Sequence, residues 1–451
     1  MKNNLRNSIY GALGFVFQLA ITLFTMPYIV HKLTPELYGI YILSTSLIGF
    51  VSFMDLGLGQ GIIKFVSEYE AKKDYEGIKN VIGVSFYIYL IMGIIGAILI
   101  FALTDNLVIL FRVNEKYKDL ASYVFHMTAI GFFINFIANI FLPIPKALQR
   151  YDIATKSEVG IQLLFNLLIV CLLYLGYGLK EVIIANLGFG IVRLITYFLI
   201  FRKMLPNIPL NPTFRIDVFK RIFSFSIFTA INAITGNLVF RIDKMIISSF
   251  LGTTAVTYYT IPFMMVQLGY GFVGSTAHFI FPASSSLFSL GLKEELIQVY
   301  RKATQYSVLI STIFAVIFIV LGNSFLTFWM GADFARSTEG LIPIIAIVFF
   351  FQSVSIPAFH VYNGLGLPKI NMISSFVGSS AYLISALILI PPYRLLGAAL
   401  SFGFTLLPFP FYFYYLHRRI GIRNRDFYVM LLKSLSIICI ISILFHFFLN
   451  H

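Results

Sequence analysis

Four basic and two acidic residues lie inside apolar stretches of this chain: Arg193, Arg241, Lys244, Lys433, Asp55 and Asp243. An ionised side chain at the centre of a bilayer costs from about 3 kcal/mol to well above that, so such residues face a partner or a water-filled cavity. Arg241 and Lys244 are three apart and share one face of a helix, with Asp243 displaced about 100° from Lys244. Two cations so placed can point at one anionic ligand. The competing reading is an internal ion pair between Asp243 and a neighbouring helix that only fixes packing. Arg193 and Asp55 stand alone, and each reads equally well as cavity lining or as a buried pair. Lys433 lies near a helix end, where snorkelling of its long stem accounts for it.

A second set of residues offers uncharged polar chemistry: Asn135, Asn139, Gln162, Asn166, Asn232, Asn237 and Gln267. Amides both donate and accept, which suits sugar hydroxyls, and they serve equally well as hydrogen-bonding glue between helices. His126, His278 and His360 are scattered without metal-ligand spacing, and Cys171 and Cys439 sit in apolar runs, so neither a metal centre nor a disulfide is expected. The run Asp55-Leu-Gly-Leu-Gly-Gln-Gly61 lacks the Gly-Lys-Ser/Thr ending of a nucleotide phosphate loop; its Gly57 and Gly61 have the spacing that lets helices approach closely. No catalytic residue, metal or cofactor is expected. A proton or sodium gradient remains open as an energy source.

These residues must be positioned by membrane helices. Hydrophobic residues make up 59% of the chain and charged residues 12%, about half the charged fraction of a soluble domain. The apolar residues fall in runs of about 20, the length that crosses a bilayer as a helix. Six runs cover Ser8–Val30, Tyr38–Gly61, Asn80–Leu103, Leu120–Leu142, Ser157–Gly176 and Val182–Phe201. Six more cover Ile222–Leu251, Tyr258–Phe281, Thr304–Leu321, Leu341–Val361, Met372–Ile390 and Leu396–Tyr415, and a thirteenth covers Tyr428–Phe448. The first is too long and too rich in Phe for a signal peptide. With the N-terminus inside, the inner segments hold 22 Lys and Arg and the outer segments 7, as the positive-inside rule requires. The net charge of +14 therefore reports topology rather than nucleic acid.

The two sets of six resemble each other. The segment from Leu33 to Tyr41 lines up with the segment from Leu251 to Tyr259 at an offset of 218, and the segment from Lys146 to Asp152 lines up with that from Asn363 to Lys369 at 217. Separated by an even number of spans, the halves share one orientation, as in parallel repeats, which place a substrate site between them. The expected organisation is an all-α polytopic membrane protein with a six-helix bundle over 1–201, a connecting loop over 202–221, a second bundle over 222–416, and an Arg-rich loop with an added helix over 417–451. Pro262, Pro357, Pro408 and Pro410 interrupt spans and are candidate hinges.

The Asp55-Leu-Gly-Leu-Gly run followed by Lys64-Phe-Val-Ser-Glu68, the Leu33–Tyr41 element, the Ala147-Leu-Gln-Arg150 turn and Arg241-Ile-Asp-Lys244 together resemble the polysaccharide-export flippases of the multidrug/oligosaccharidyl-lipid/polysaccharide exporter superfamily. The resemblance covers residues 5 to 420. It implies two six-helix bundles around a central cationic cavity that opens alternately to each side of the bacterial inner membrane. The cargo would be an undecaprenyl-diphosphate-linked oligosaccharide such as an O-antigen repeat unit, moved to the outer leaflet, with Arg241 and Lys244 at its diphosphate and sugar. Arg193, Asp55, Asp243 and Lys64 complete the set of candidate cavity residues. The implied partners are this lipid-linked cargo and membrane lipids, the polysaccharide polymerase machinery is a candidate neighbour, and the working unit is a monomer. Two alternatives stand beside this: a cation-coupled drug or metabolite exporter of the same fold, and a membrane glycosyltransferase or glycan polymerase. The exporter would favour acidic cavity residues, and the enzyme would need an outer loop longer than the roughly sixteen residues found here.

Overall fold

The computed structural model describes residues 2–50, 54–55, 57–209, 214–277 and 279–449, with side chains described outside 2–20, 22, 225–241 and 446–449. Among the described residues all regular structure is helical. The helices are α1 (Lys2–Gly49), α2 (Leu58–Ala71), α3 (Tyr75–Ala102), α4 (Thr104–Leu110), α5 (Lys118–Phe141), α6 (Ile144–Ala147), α7 (Tyr151–Tyr174), α8 (Leu179–Met204) and α9 (Ile216–Leu251). They continue as α10 (Thr253–Ala277), α11 (Ile280–Ser289), α12 (Lys293–Met330), α13 (Ala332–Ser337), α14 (Leu341–Gly364), α15 (Pro368–Gly403), α16 (Phe409–Ile420) and α17 (Asn424–Leu449). Eight stretches among the described residues are long and apolar enough to cross a membrane, one of them the 53-residue stretch Pro368–Ile420, which holds two of the expected runs. The chain is a multi-pass membrane protein.

One expected span is interrupted by a turn. Within the apolar run Tyr38–Gly61, α1 ends at Gly49 and α2 begins at Leu58, with Met54 helical, Asp55 in a turn and Gly57 left-handed at φ 70° just before it. Apolarity hides this break because a membrane run and a membrane run with a turn look alike in composition; the glycines and Asp55 cause it. Asp55 Oδ2 accepts the Gly59 backbone N–H at 3.3 Å, the bond by which a carboxylate caps a helix start. Asp55 thus sits in a turn between two helices.

The internal repeat is legible in the backbone. Positive φ values recur at Thr34 and Gly252, Lys73 and Gly291, Gln149 and Gly366, and Gly176 and Arg394, each pair 217 or 218 residues apart, and at Arg112 and Gly331, 219 apart. In every pair one member is glycine, which takes this conformation without strain, and the other bears a side chain that must be held there. Helix starts follow the same offset: α3 begins at Tyr75 and α12 at Lys293. Both halves therefore turn at corresponding points.

By packing, the chain divides into one unit of Met1–Thr257 and another of Tyr258–His451. In the first unit α5 packs against α3 and α8, and α1 packs against α7. The seventh long helix, α9, belongs to this unit and is tied to it near both ends. Arg221 bonds Glu68 at 3.1 Å and the Tyr69 hydroxyl at 3.0 Å. Ser248 Oγ donates to the Phe111 carbonyl at 2.9 Å. At the turn between α9 and α10, Thr257 Oγ1 donates to the Pro35 carbonyl at 2.5 Å, while the Thr253 carbonyl oxygen occupies the place a Cβ would take at Gly39. Pro35 and Thr253, like Gly39 and Thr257, are 218 apart, so each half's turn touches the repeat-equivalent of its own partner.

In the second unit α14 packs against α12, α11 and α15. The thirteenth apolar run forms α17, whose Phe427, Leu431 and Ile438 are part of this unit's core. His417, fully buried, bonds the Tyr300 hydroxyl at 2.9 Å and Asn424 at 2.7 Å and fixes the entry into α17.

Candidate functional site

Three helices of the first unit each place two polar residues four apart, and therefore on one face: Asn135 and Asn139 on α5, Glu158 and Gln162 on α7, Arg193 and Tyr197 on α8. Four of them, Asn135, Asn139, Gln162 and Arg193, line a cavity of about 620 Å³ together with Asp55 and Tyr89. The candidate residues in this part of the sequence are thus brought together from four separate elements.

Arg193 is the hub. Its Nη2 lies 3.1 Å from Glu158 Oε1, and its Nη1 donates to Asn135 Oδ1 at 3.3 Å. The Tyr197 hydroxyl donates to the other Glu158 oxygen at 3.0 Å, and Asn135 Nδ2 donates to the Gly131 carbonyl at 2.8 Å, so both partners of the guanidinium are themselves oriented. A guanidinium carries five donors. The Nε–H of Arg193 is buried and has no partner among the described residues. Across the cavity Asp55 accepts from the Tyr89 hydroxyl and from Gly59 N–H. Tyr89 is fully buried against Phe136, which fixes where its hydroxyl ends.

The formal charges on these residues are one guanidinium and two carboxylates, Asp55 and Glu158. The sequence reading of Arg193 and Asp55 left cavity lining and buried pairing open, and the structure has both at once: paired groups that line a cavity. Glu158 and Tyr89 were missed. Glu158 stands at the first turn of the fifth apolar run, where it reads as a loop-side charge; its spacing of four from Gln162 was the available signal.

The other candidates lie elsewhere. Asp243 is 2% exposed, and its Oδ1 lies 3.6 Å from Nζ of Lys244, the next residue on α9. Lys64 is exposed on α2 beside the Phe65 ring and is not among the residues lining the cavity. Gln267 is half-buried on α10 in the second unit. Arg241, Asn232, Asn237 and His278 lie outside the described side chains.

Residues 4–288 match the model of a family described as polysaccharide biosynthesis protein. The chain belongs to that family. Among its relatives is a Shigella flexneri protein named "Putative O-antigen transporter", 20% identical over 406 residues that span 88% of this chain and 94% of that protein. Another is the Staphylococcus aureus capsular polysaccharide biosynthesis protein CapF, 26% identical over 287 residues, 60% of this chain and 70% of the relative. Two solved structures have the same fold: an inward-facing multidrug resistance MATE family transporter of the MOP superfamily, with a TM-score of 0.79, 16% identity and coverage of 90% and 98%, and the lipid II flippase MurJ in an inward closed conformation, with a TM-score of 0.73, 16% identity and coverage of 99% and 98%. The two-lobe helical bundle read from the sequence is the fold of this family member.

Proposed function

We propose that the chain translocates a lipid-linked oligosaccharide, a polyprenyl-diphosphate carrying a polysaccharide repeat unit, from the cytoplasmic to the outer leaflet of the bacterial inner membrane, with its N-terminus in the cytoplasm. Membership of a polysaccharide biosynthesis family supports the cargo class. The observation in the molecule that carries the reading is Arg193, a guanidinium within a membrane helix that lines a polar cavity and keeps a buried N–H without a partner among the described residues.

A headgroup bearing phosphates and hydroxyls cannot cross hydrocarbon without a polar path and compensating cations. Guanidinium binds phosphate bidentately, and it does so most strongly where water is excluded. Because Glu158 already holds Arg193, an incoming phosphate competes with that carboxylate for the guanidinium. Asn135, Asn139 and Gln162 supply neutral hydrogen-bonding groups beside it. In a strain lacking this gene, mass spectrometry should find lipid-linked glycan accumulated on the cytoplasmic side, cleared by the wild-type gene and not by Arg193→Ala. Clearance by Arg193→Ala at the wild-type rate would overturn the assignment.

A further inference from the structure

The second unit contains a cavity of about 380 Å³ to which no role has been given so far. It is the repeat counterpart of the first. Gln352, Ile356, Phe359 and His360 line it, each 217 residues after Asn135, Asn139, Leu142 and Pro143 of the first cavity. Ser375 lines it at the same offset from Glu158. The chemistry has changed. Among the described residues, none that line it is Asp, Glu, Lys or Arg. Where the first unit has the carboxylate of Glu158 paired with a cavity-lining arginine, this cavity has a hydroxyl.

What remains is aromatic faces and neutral hydrogen-bonding groups. Tyr270, Phe359, Phe409 and Tyr412 contribute rings, with Phe359 44% exposed. Some polar groups are fully committed. Asn371 donates to the Phe359 carbonyl at 3.0 Å and to Asn363 Oδ1 at 2.9 Å, and accepts from the Tyr412 hydroxyl at 2.6 Å, which fixes that ring. Others keep capacity. Gln352 Nε2 donates to Thr405 Oγ1 at 3.1 Å, while its carbonyl oxygen accepts nothing from the described residues. The Ser374 and Ser375 hydroxyls line the space and make no hydrogen bond with the described residues. A site that combines rings with unspent amide and hydroxyl groups and is lined by no Lys or Arg matches a ligand with apolar C–H faces and many hydroxyls. Phosphate would find no lysine or arginine among its described lining residues.

We propose that this cavity binds the glycan part of the cargo, separately from the diphosphate, so that the two halves of the repeat have specialised for the two chemical parts of one amphiphile. The inference rests on the function proposed above. Gln352 and Ser375 are the sugar-contacting residues, and Asn371 is a positioning residue that holds Tyr412.

The test uses the full-length chain in lipid nanodiscs with two probes, undecaprenyl diphosphate and undecaprenyl diphosphate carrying a neutral disaccharide. The wild type should bind the glycosylated lipid more tightly than the bare one. Gln352→Leu should weaken binding of the glycosylated lipid by roughly three- to tenfold, the worth of one neutral hydrogen bond, and leave the bare lipid unchanged. Ser375→Ala, a smaller change at a second lining position, should reproduce this if Gln352→Leu fails to fold. Equal wild-type affinity for both probes, or loss in both variants that is the same for both probes, overturns the glycan site and leaves the transport reading standing. Binding of neither probe by the wild type overturns both.

Discussion

The first unit's cavity is built on charge and the second unit's on neutral hydrogen bonds and rings, although repeat-equivalent positions line them. Divergence is concentrated where the backbone is most alike: Asn135 and Gln352 occupy matching places and are both amides, whereas Glu158 has become Ser375. The Arg193 position has moved to an apolar surface, since 218 residues on stands Phe411, 78% exposed. A fold duplicated by repetition lets one copy keep a costly ion pair within its membrane helices while the other is freed from it. The cost is worth bearing only where an ionic ligand must be met.

Removing the guanidinium should break this contrast most severely. Arg193→Ala leaves Glu158 without its cation and the cavity without a phosphate donor. Translocation of lipid-linked glycan should fall by about tenfold or more, since truncating one member of a hydrogen-bonded charge pair costs up to about 2 to 5 kcal/mol and the partly exposed Glu158 takes a smaller share. Flux measured in proteoliposomes with the wild-type lipid-linked glycan checks this. Next in size is Asp55→Asn, which keeps the shape of the turn but weakens its bond to Tyr89. Thermal unfolding should record a loss of about 1 to 2 kcal/mol, with the neutral cavity's binding unaffected. A coupled loss in both cavities would mean that they do not act as separate sites.

The smallest effect belongs to a pair outside both cavities. In the segment between spans, hydrogen bonding from Lys72, and then the charges of Lys72 and Arg221, hold the Glu68 carboxyl below its usual range. A carboxyl lowered by folding stabilises above its ordinary value of about 4.5, and that contribution disappears as pH falls through the lower folded value. Glu68→Gln should therefore leave stability near neutral pH almost unchanged, because the pair is exposed, and should flatten the acid limb of the unfolding curve. A shift at neutral pH instead would make this tie a structural clamp on α9.

The helices and their repetition were legible in the sequence because apolar runs of membrane length are dictated by the bilayer, and because both halves must turn at the same places. The glycines at 252, 291 and 366 already marked those turns; their non-glycine partners Thr34, Lys73 and Gln149 did not, since only backbone geometry reveals that they share the conformation. The break before α2 was hidden inside a continuous apolar run. For the site, Asp55, Asn135, Asn139, Gln162 and Arg193 could be chosen one by one from their cost in lipid, but nothing along the chain says that four elements converge. Glu158 escaped because a charge one turn into a span looks like a loop residue, and Tyr89 because a tyrosine among Ile and Gly looks like packing. The pairing of Lys244 with Asp243 was equally hidden, because helical spacing relates Lys244 to Arg241 and does not reveal a contact between adjacent residues.

The exchange of Glu158 for a phosphate at Arg193 is open to one direct measurement: the affinity of the nanodisc-embedded chain for undecaprenyl diphosphate, compared between wild type and Glu158→Gln at neutral pH. Neutralising the competitor while keeping its shape should tighten binding by about tenfold. Unchanged or weaker binding would contradict the account.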